Sequence, residues 1–147
     1  MNRVNQAGKA FVIGWIAGFV DGEGYIGLWK SKIKNKYTYV PTMSVSNTHH
    51  ESINYLSEQL KILNIGNHIF VRNVENPKWR QRMVLEVRGM KRIKSFIETI
   101  KPYSITKKSQ MELLESFILK RMEKPMNQPY GEYEEDVFEK LKLLHHE

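Results

Sequence analysis

The chain has 147 residues, 41% hydrophobic and 27% charged, which suits one globular domain with a proper core and excludes a disordered segment. Lys plus Arg number 23 against 16 for Asp plus Glu, a net charge of +7 that favours a polyanionic partner, nucleic acid ahead of a membrane surface. There is no cysteine, which excludes disulfides, Cys-ligated zinc and thiol catalysis.

The longest apolar run, 11–20, is about half of the ~20 residues that span a bilayer, and it lacks the small-residue cleavage pattern of a signal peptide. The expectation is an intracellular protein with no membrane partner, with cytoplasm, nucleus and organelle left open. Charge is unevenly spread. Residues 24–46 carry Lys30, Lys32, Lys34 and Lys36 and no acid, and residues 66–92 carry seven bases against Glu75 and Glu86. Residues 123–147 reverse the sign, with three bases against seven acids, and read as a solvated acidic face.

In chain order, 9–21 predicts a helix that is apolar nearly all round, which must be buried on every side. Its small residues Gly14, Ala17 and Gly18, with Asp21, fall at i, i+3, i+4 and i+7 and share one face open to another helix at close range. Residues 25–34 and 37–46 predict two strands; in the second, Tyr39, Met43 and Val45 alternate with Thr38, Thr42, Ser44 and Ser46, and Pro41 suggests an edge or a bulge. Thr48 to Glu51 reads as a capping box opening a helix with Ile53, Leu56, Leu60 and Leu63 inward, and Gly66 just past its end. Strands at 67–73 and 80–88 flank the turn at 75–78. A helix over 91–101 stops at Pro102, another covers 107–123 with Met111, Leu114 and Ile118 inward, and Tyr133, Val137, Leu141 and Leu144 mark a last one. No internal repeat is present. The order α-β-β-α-β-β-α predicts an α+β fold in which an antiparallel four-stranded sheet has helices on one face and the other face open.

Residues Ile16 to Gly24 carry the chemistry: aliphatic, Ala, Gly, two large apolar residues, Asp21, Gly22, Glu23, Gly24. This stretch resembles the LAGLIDADG nonamer position by position, and the order of elements is similar across residues 9–122. Gly22, Gly24 and Gly27 also match a dinucleotide-binding spacing, but that fingerprint follows a strand and opens a helix, the reverse of the order here. Physics points the same way as the resemblance. Two copies of the small-residue helix could meet about a two-fold axis, bringing carboxylates together near DNA phosphates. Oxygen ligands without nitrogen or sulfur suit Mg²⁺.

The resemblance is to the single-motif homing endonucleases, and it implies one domain over 1–147, with a core at about 9–122 and a helical extension at 123–147. It implies a homodimer that hydrolyses both strands of a long, nearly palindromic double-stranded DNA site and leaves short 3′ overhangs. Magnesium would be the cofactor, with manganese able to substitute and calcium supporting binding without cleavage. Glu23 would be the shared metal ligand with the carbonyl of Gly22, and Gly14, Ala17, Gly18 and Asp21 the dimer contact. Asn47 occupies the position of a residue that orders the water network, though an ordinary turn residue reads equally well there. Lys107, or its neighbour Lys108, would lie near the reacting phosphate. An arginine that some relatives carry after Asn47 is absent, with Glu51 and Ser52 in its region. The family places the open sheet face in the DNA major groove, whose edges distinguish all four base pairs. Strand parity puts Tyr25, Trp29, Ser31, Thr38, Thr42, Ser44, Arg82, Glu86 and Arg88 on that face, with Arg80 and Arg72 extending it. Lys30, Lys32, Lys34 and Lys36 share one parity and are expected to pass the core edge and meet phosphates. The alternative is a non-cutting nucleic-acid binder on the same scaffold: an RNA maturase, in which case RNA joins the partners, or a DNA-binding protein.

Overall fold

Helix α1 (Arg3–Glu23) runs without a loop into strand β1 (Gly24–Ile33) in the computed structural model, which describes residues 3–73 and 75–145, and side chains from residue 8. The junction needs glycine: a Cβ on Gly24 would stand 2.6 Å from the carbonyl oxygen of Val20. Lys34 and Asn35, at φ 50° and 67°, then reverse the chain into β2 (Lys36–Asn47). Positive φ at both positions is what a two-residue type I′ hairpin turn demands, and asparagine tolerates it well.

Helix α2 (His50–Ile62) follows, but its capping differs from the expected box. His49 is the N-cap, its Nδ1 accepting from the Ser52 N–H, while Asn47 Oδ1 accepts from the His49 N–H at 2.8 Å. At the other end Asn64, not Gly66, adopts the left-handed conformation (φ 63°), and the Ile65 N–H closes on the Leu60 carbonyl at 2.8 Å. Strands β3 (His68–Arg72) and β4 (Arg82–Arg88), helix α3 (Met90–Ile100), a 3₁₀ turn (Lys101–Tyr103), α4 (Lys108–Met122) and α5 (Glu132–His145) complete the order.

The strands form one antiparallel sheet in the order β1-β2-β4-β3. Pro41 therefore lies in an interior strand, which its sequence did not suggest. It sits one residue beyond the β2–β4 ladder, which starts at Thr42 and Arg88, so its missing N–H breaks no bond there. Pairings of Ile26 with Met43, Leu28 with Pro41, and Val45 with Leu85 aim these side chains at the helices. The core cluster built on them runs from Ile13 of α1 to Val137 and Leu141 of α5. The acidic C-terminal segment is accordingly packed and not merely solvated. Glu134 is 2% exposed and paired with Arg121, and Glu135 grips Lys30 at 2.8 Å.

Candidate catalytic centre and nucleic-acid interface

Ile16, Ala17 and Val20 are wholly buried in the core, whereas a Cβ on Gly14, Gly18 or Gly22 would meet nothing within 4 Å. The open stripe of α1 is therefore the i, i+4, i+8 row of glycines, flanked by Phe11 at 71% exposure and by Trp15, which packs edge-on against Tyr55. This displaces the expected small-residue face. Ala17 points with Ile13 and Ile16 into the chain's own core, and Asp21 is turned toward another loop, so of the expected four only Gly14 and Gly18 remain open.

Asp21 is the anchor between α1 and the start of α4. Its carboxylate accepts from the Ser104 hydroxyl (2.6 Å) and from the N–H groups of Ile105 (2.7 Å), Thr106 (3.2 Å) and Lys107 (3.3 Å), while the Thr106 hydroxyl donates to the Asp21 carbonyl. Burial alone would raise its pKa, but the Ser104 hydroxyl and the backbone donors outweigh that and hold the carboxyl below its usual 3.8. The carboxylate is thereby saturated with donors and fixes where Lys107, the N-cap residue of α4, stands.

Glu23, two residues on, is exposed and has no hydrogen bond or ion pair among the described residues. Among those residues no group of three or more His, Asp or Glu could hold a metal ion. An exposed carboxylate next to the exposed Gly22 suits an oxygen-ligated divalent cation once a second acid and phosphate oxygens approach. Asn47 ends β2 half-buried, with its Oδ1 committed to the turn into α2 and its amide nitrogen unpartnered among the described residues. Of the expected catalytic residues Glu23, Asn47 and Lys107, Lys107 is tied through its backbone N–H to Asp21, and Glu23 ends the same helix as Asp21.

Across the sheet, away from the helices, cross-strand pairs align Tyr25 with Ser44, Ser31 with Thr38, Ser44 with Glu86, Thr42 with Arg88, and Arg72 with Arg82. Arg82 and Arg72 are exposed, Arg80 is exposed in the loop before β4, and the Arg88 guanidinium lies 5.8 Å from the Trp29 ring. Thr42 shares this face but is only 5% exposed, its hydroxyl turned back to the Val40 carbonyl, so it presents little to a ligand. The lysines do not share one face. Alternation holds within β1, but the pairing of Ile33 with Lys36 moves Lys36 to the open face, while Lys32 and Lys30 stay on the helix side and Lys34 caps the turn. Lys30 is withdrawn altogether, held by Glu135 of α5.

A family model described as a LAGLIDADG-like domain matches residues 10–101. The chain belongs to the LAGLIDADG family. Its fold is that of homing endonucleases solved with DNA, although identity is low. The homing endonuclease I-CvuI in complex with the I-CreI target has a TM-score of 0.62 at 21% identity, over 95% of this chain and 98% of that one. The archaeal intron-encoded homing endonuclease I-Vdi141I complexed with DNA gives 0.59 at 17%, over 91% and 98%. The LAGLIDADG homing endonuclease I-GzeII in complex with its DNA target gives 0.63 at 21%, over 90% of this chain and 43% of that one. No curated protein matches the sequence.

The LAGLIDADG motif thus divides its two acids between a structural tie and a free carboxylate. Residues missing from the sequence reading lie beside the motif and on β3. His145 of α5 stacks on Tyr25 at 4.1 Å and 3° and reaches the Ile26 carbonyl through Nε2 at 3.0 Å. Tyr25 in turn lies over Gly27, where a Cβ would meet its hydroxyl at 2.7 Å. On the open face His68 pairs with Glu86 at 3.2 Å, and Phe70 sits beside Val84. Parity counted back from Arg72 would have found His68 and Phe70. Nothing local foretells that His145 meets Tyr25, 120 residues earlier in the chain.

Proposed function

We propose that the chain is a site-specific DNA endonuclease acting as a homodimer on a long, nearly palindromic duplex. The observation that carries this reading is the open glycine stripe of α1 ending at an unpartnered acid. Two such helices can approach with backbones nearly touching, and a two-fold axis between them brings the two copies of Glu23 together. Like charges placed so close are relieved by divalent cations. Magnesium bound by Glu23 and the Gly22 carbonyl would supply Lewis acidity for activating water and stabilising the leaving 3′ oxygen.

The chain's own residues do the rest. Asp21 holds Lys107 in place, and its ammonium offsets phosphate charge as the P–O3′ bond breaks. The amide of Asn47 is available to order water, and Trp29, Ser31, Lys36, Thr38, Ser44, Arg72, Arg80, Arg82, Glu86 and Arg88 are available for base edges and backbone. Lys32 and Lys34, at the hairpin end, fit phosphate contacts. Cuts by two centres would leave short 3′ overhangs.

The test incubates the full chain with DNA carrying the intron-insertion or host-gene site, in Mg²⁺, in Ca²⁺ and in EDTA. The expected result is cutting in Mg²⁺, binding alone in Ca²⁺, and for Glu23→Gln a loss of cutting beyond the roughly 10–100-fold cost of losing an outer-shell partner, with binding kept. Magnesium-independent binding of DNA or RNA with no cutting of any candidate site would replace the nuclease by the non-cutting reading.

A further inference from the structure

Beside Lys107 lies a polar cleft of about 350 Å³, lined by Thr106, Lys107, Ser109, Gln110, Leu144 and His145. Two independent features mark it as a ligand site. The first is the start of the 15-residue helix α4, whose first-turn N–H groups have no acceptor within the helix. The second is Gln110. It is only 6% exposed and has no hydrogen-bond partner among the described residues, yet no sealed side-chain polar atom lacks a partner. Its amide must therefore open into the cleft that it lines.

The lining chemistry selects the ligand class. Lys107 brings a positive charge, Ser109 a hydroxyl and Gln110 an amide N–H₂, and no acid lines the cleft. With a lysine ammonium and no carboxylate in the lining, the cleft disfavours a metal cation and suits an accept-only anion. His145 forms the opposite wall, fixed by the Ile26 carbonyl and by stacking on Tyr25, two residues after Glu23. We propose that the cleft binds a DNA backbone phosphodiester neighbouring the one at Glu23 and Lys107, with Ser109 and Gln110 as positioning residues for the strand. This rests on the nuclease reading for the source of the phosphate, but not for the presence of an anion site.

The experiment follows the full-length, isotope-labelled, metal-free chain by NMR as inorganic phosphate is added against matched chloride. The Ser109 and Gln110 backbone amides and the Gln110 side-chain amide are expected to shift saturably. Ser109→Glu, at an exposed position, should abolish the response, and Gln110→Met should weaken phosphate binding about 10-fold. With a DNA duplex in Ca²⁺, Ser109→Glu should reduce the slope of log K against log salt by about 1.8, the loss of one phosphate contact in each of the two subunits. No saturable shift, or one that Ser109→Glu leaves intact, overturns the site. A phosphate response with an unchanged DNA slope overturns the assignment to the DNA backbone. Absence of cutting with both responses intact supports the site and overturns the nuclease reading instead.

Discussion

Asp21 and Glu23 stand two residues apart, and the α-helix turns them about 200° from one another, which is why one can serve the chain's interior while the other meets solvent. The bonds from Ser104, Ile105, Thr106 and Lys107 make Asp21 a structural acid. Asp21→Asn turns a donor toward a shell of donors, and hydrogen bonds to a charged group are worth roughly 1.5–3 kcal/mol, so chemical denaturation near neutral pH should show a loss of about 2 kcal/mol. The pH dependence has a definite sign. Because the folded carboxyl titrates below 3.8, the unfolded chain takes up its proton first on acidification. The contribution is complete above 3.8 and disappears as pH falls through the folded value, so the gap between wild type and Asp21→Asn should close in acid. Denaturation midpoints measured across that range check it; a gap that is constant with pH would mean that the charge of Asp21 is not what the loop responds to.

Among the elements, α5 binds more firmly than its acidic composition suggests. Arg121 of α4 is 7% exposed; it pairs with Glu134 at 3.3 Å, donates to the carbonyls of Gln128 and Pro129, and lies 3.9 Å from the Tyr130 ring centre. One guanidinium therefore shapes the connection into α5. Removing one partner of a buried pair costs roughly 3–5 kcal/mol because a buried charge is left behind. Arg121→Met should fall near 3 kcal/mol in urea denaturation, since Lys124 and the Gly131 N–H still serve Glu134, and adding Glu134→Leu should recover much of it. How far such elements were legible follows from the range of the forces. Alternation in β2 and helical spacing in α3 and α4 are local, and they located those elements with their buried sides. The Ile69-Phe70-Val71 run hid the register of β3 because three successive apolar residues have no period. The lysines of the first hairpin misled because parity does not carry across a two-residue turn. The LAGLIDADG stretch was legible in full, yet the true direction of Asp21 depended on residues 83–86 positions away.

For the whole molecule, the proposed homodimer predicts that the glycine stripe separates folding from association. A Cβ on Gly18 meets nothing within 4 Å, so Gly18→Leu leaves the core of one subunit undisturbed and also removes a helix-interior glycine, which costs about 1 kcal/mol relative to alanine. Thermal stability of the isolated subunit should hold or rise, while sedimentation should show the dimer giving way to single subunits and double-strand cutting lost. A variant that melts as wild type and still sediments as a dimer would place the contact elsewhere. The loopless passage from α1 into β1 at Gly24, where no side chain fits, carries a consequence of its own. In the proposed homodimer, with no hinge between helix end and strand start, the distance between paired reaction centres would be dictated by the thickness of two abutting glycine faces. The stagger of the break should then behave as a constant of the scaffold. Redesign of the sheet to read a new sequence would move where the duplex is severed and leave the length of the ends unchanged.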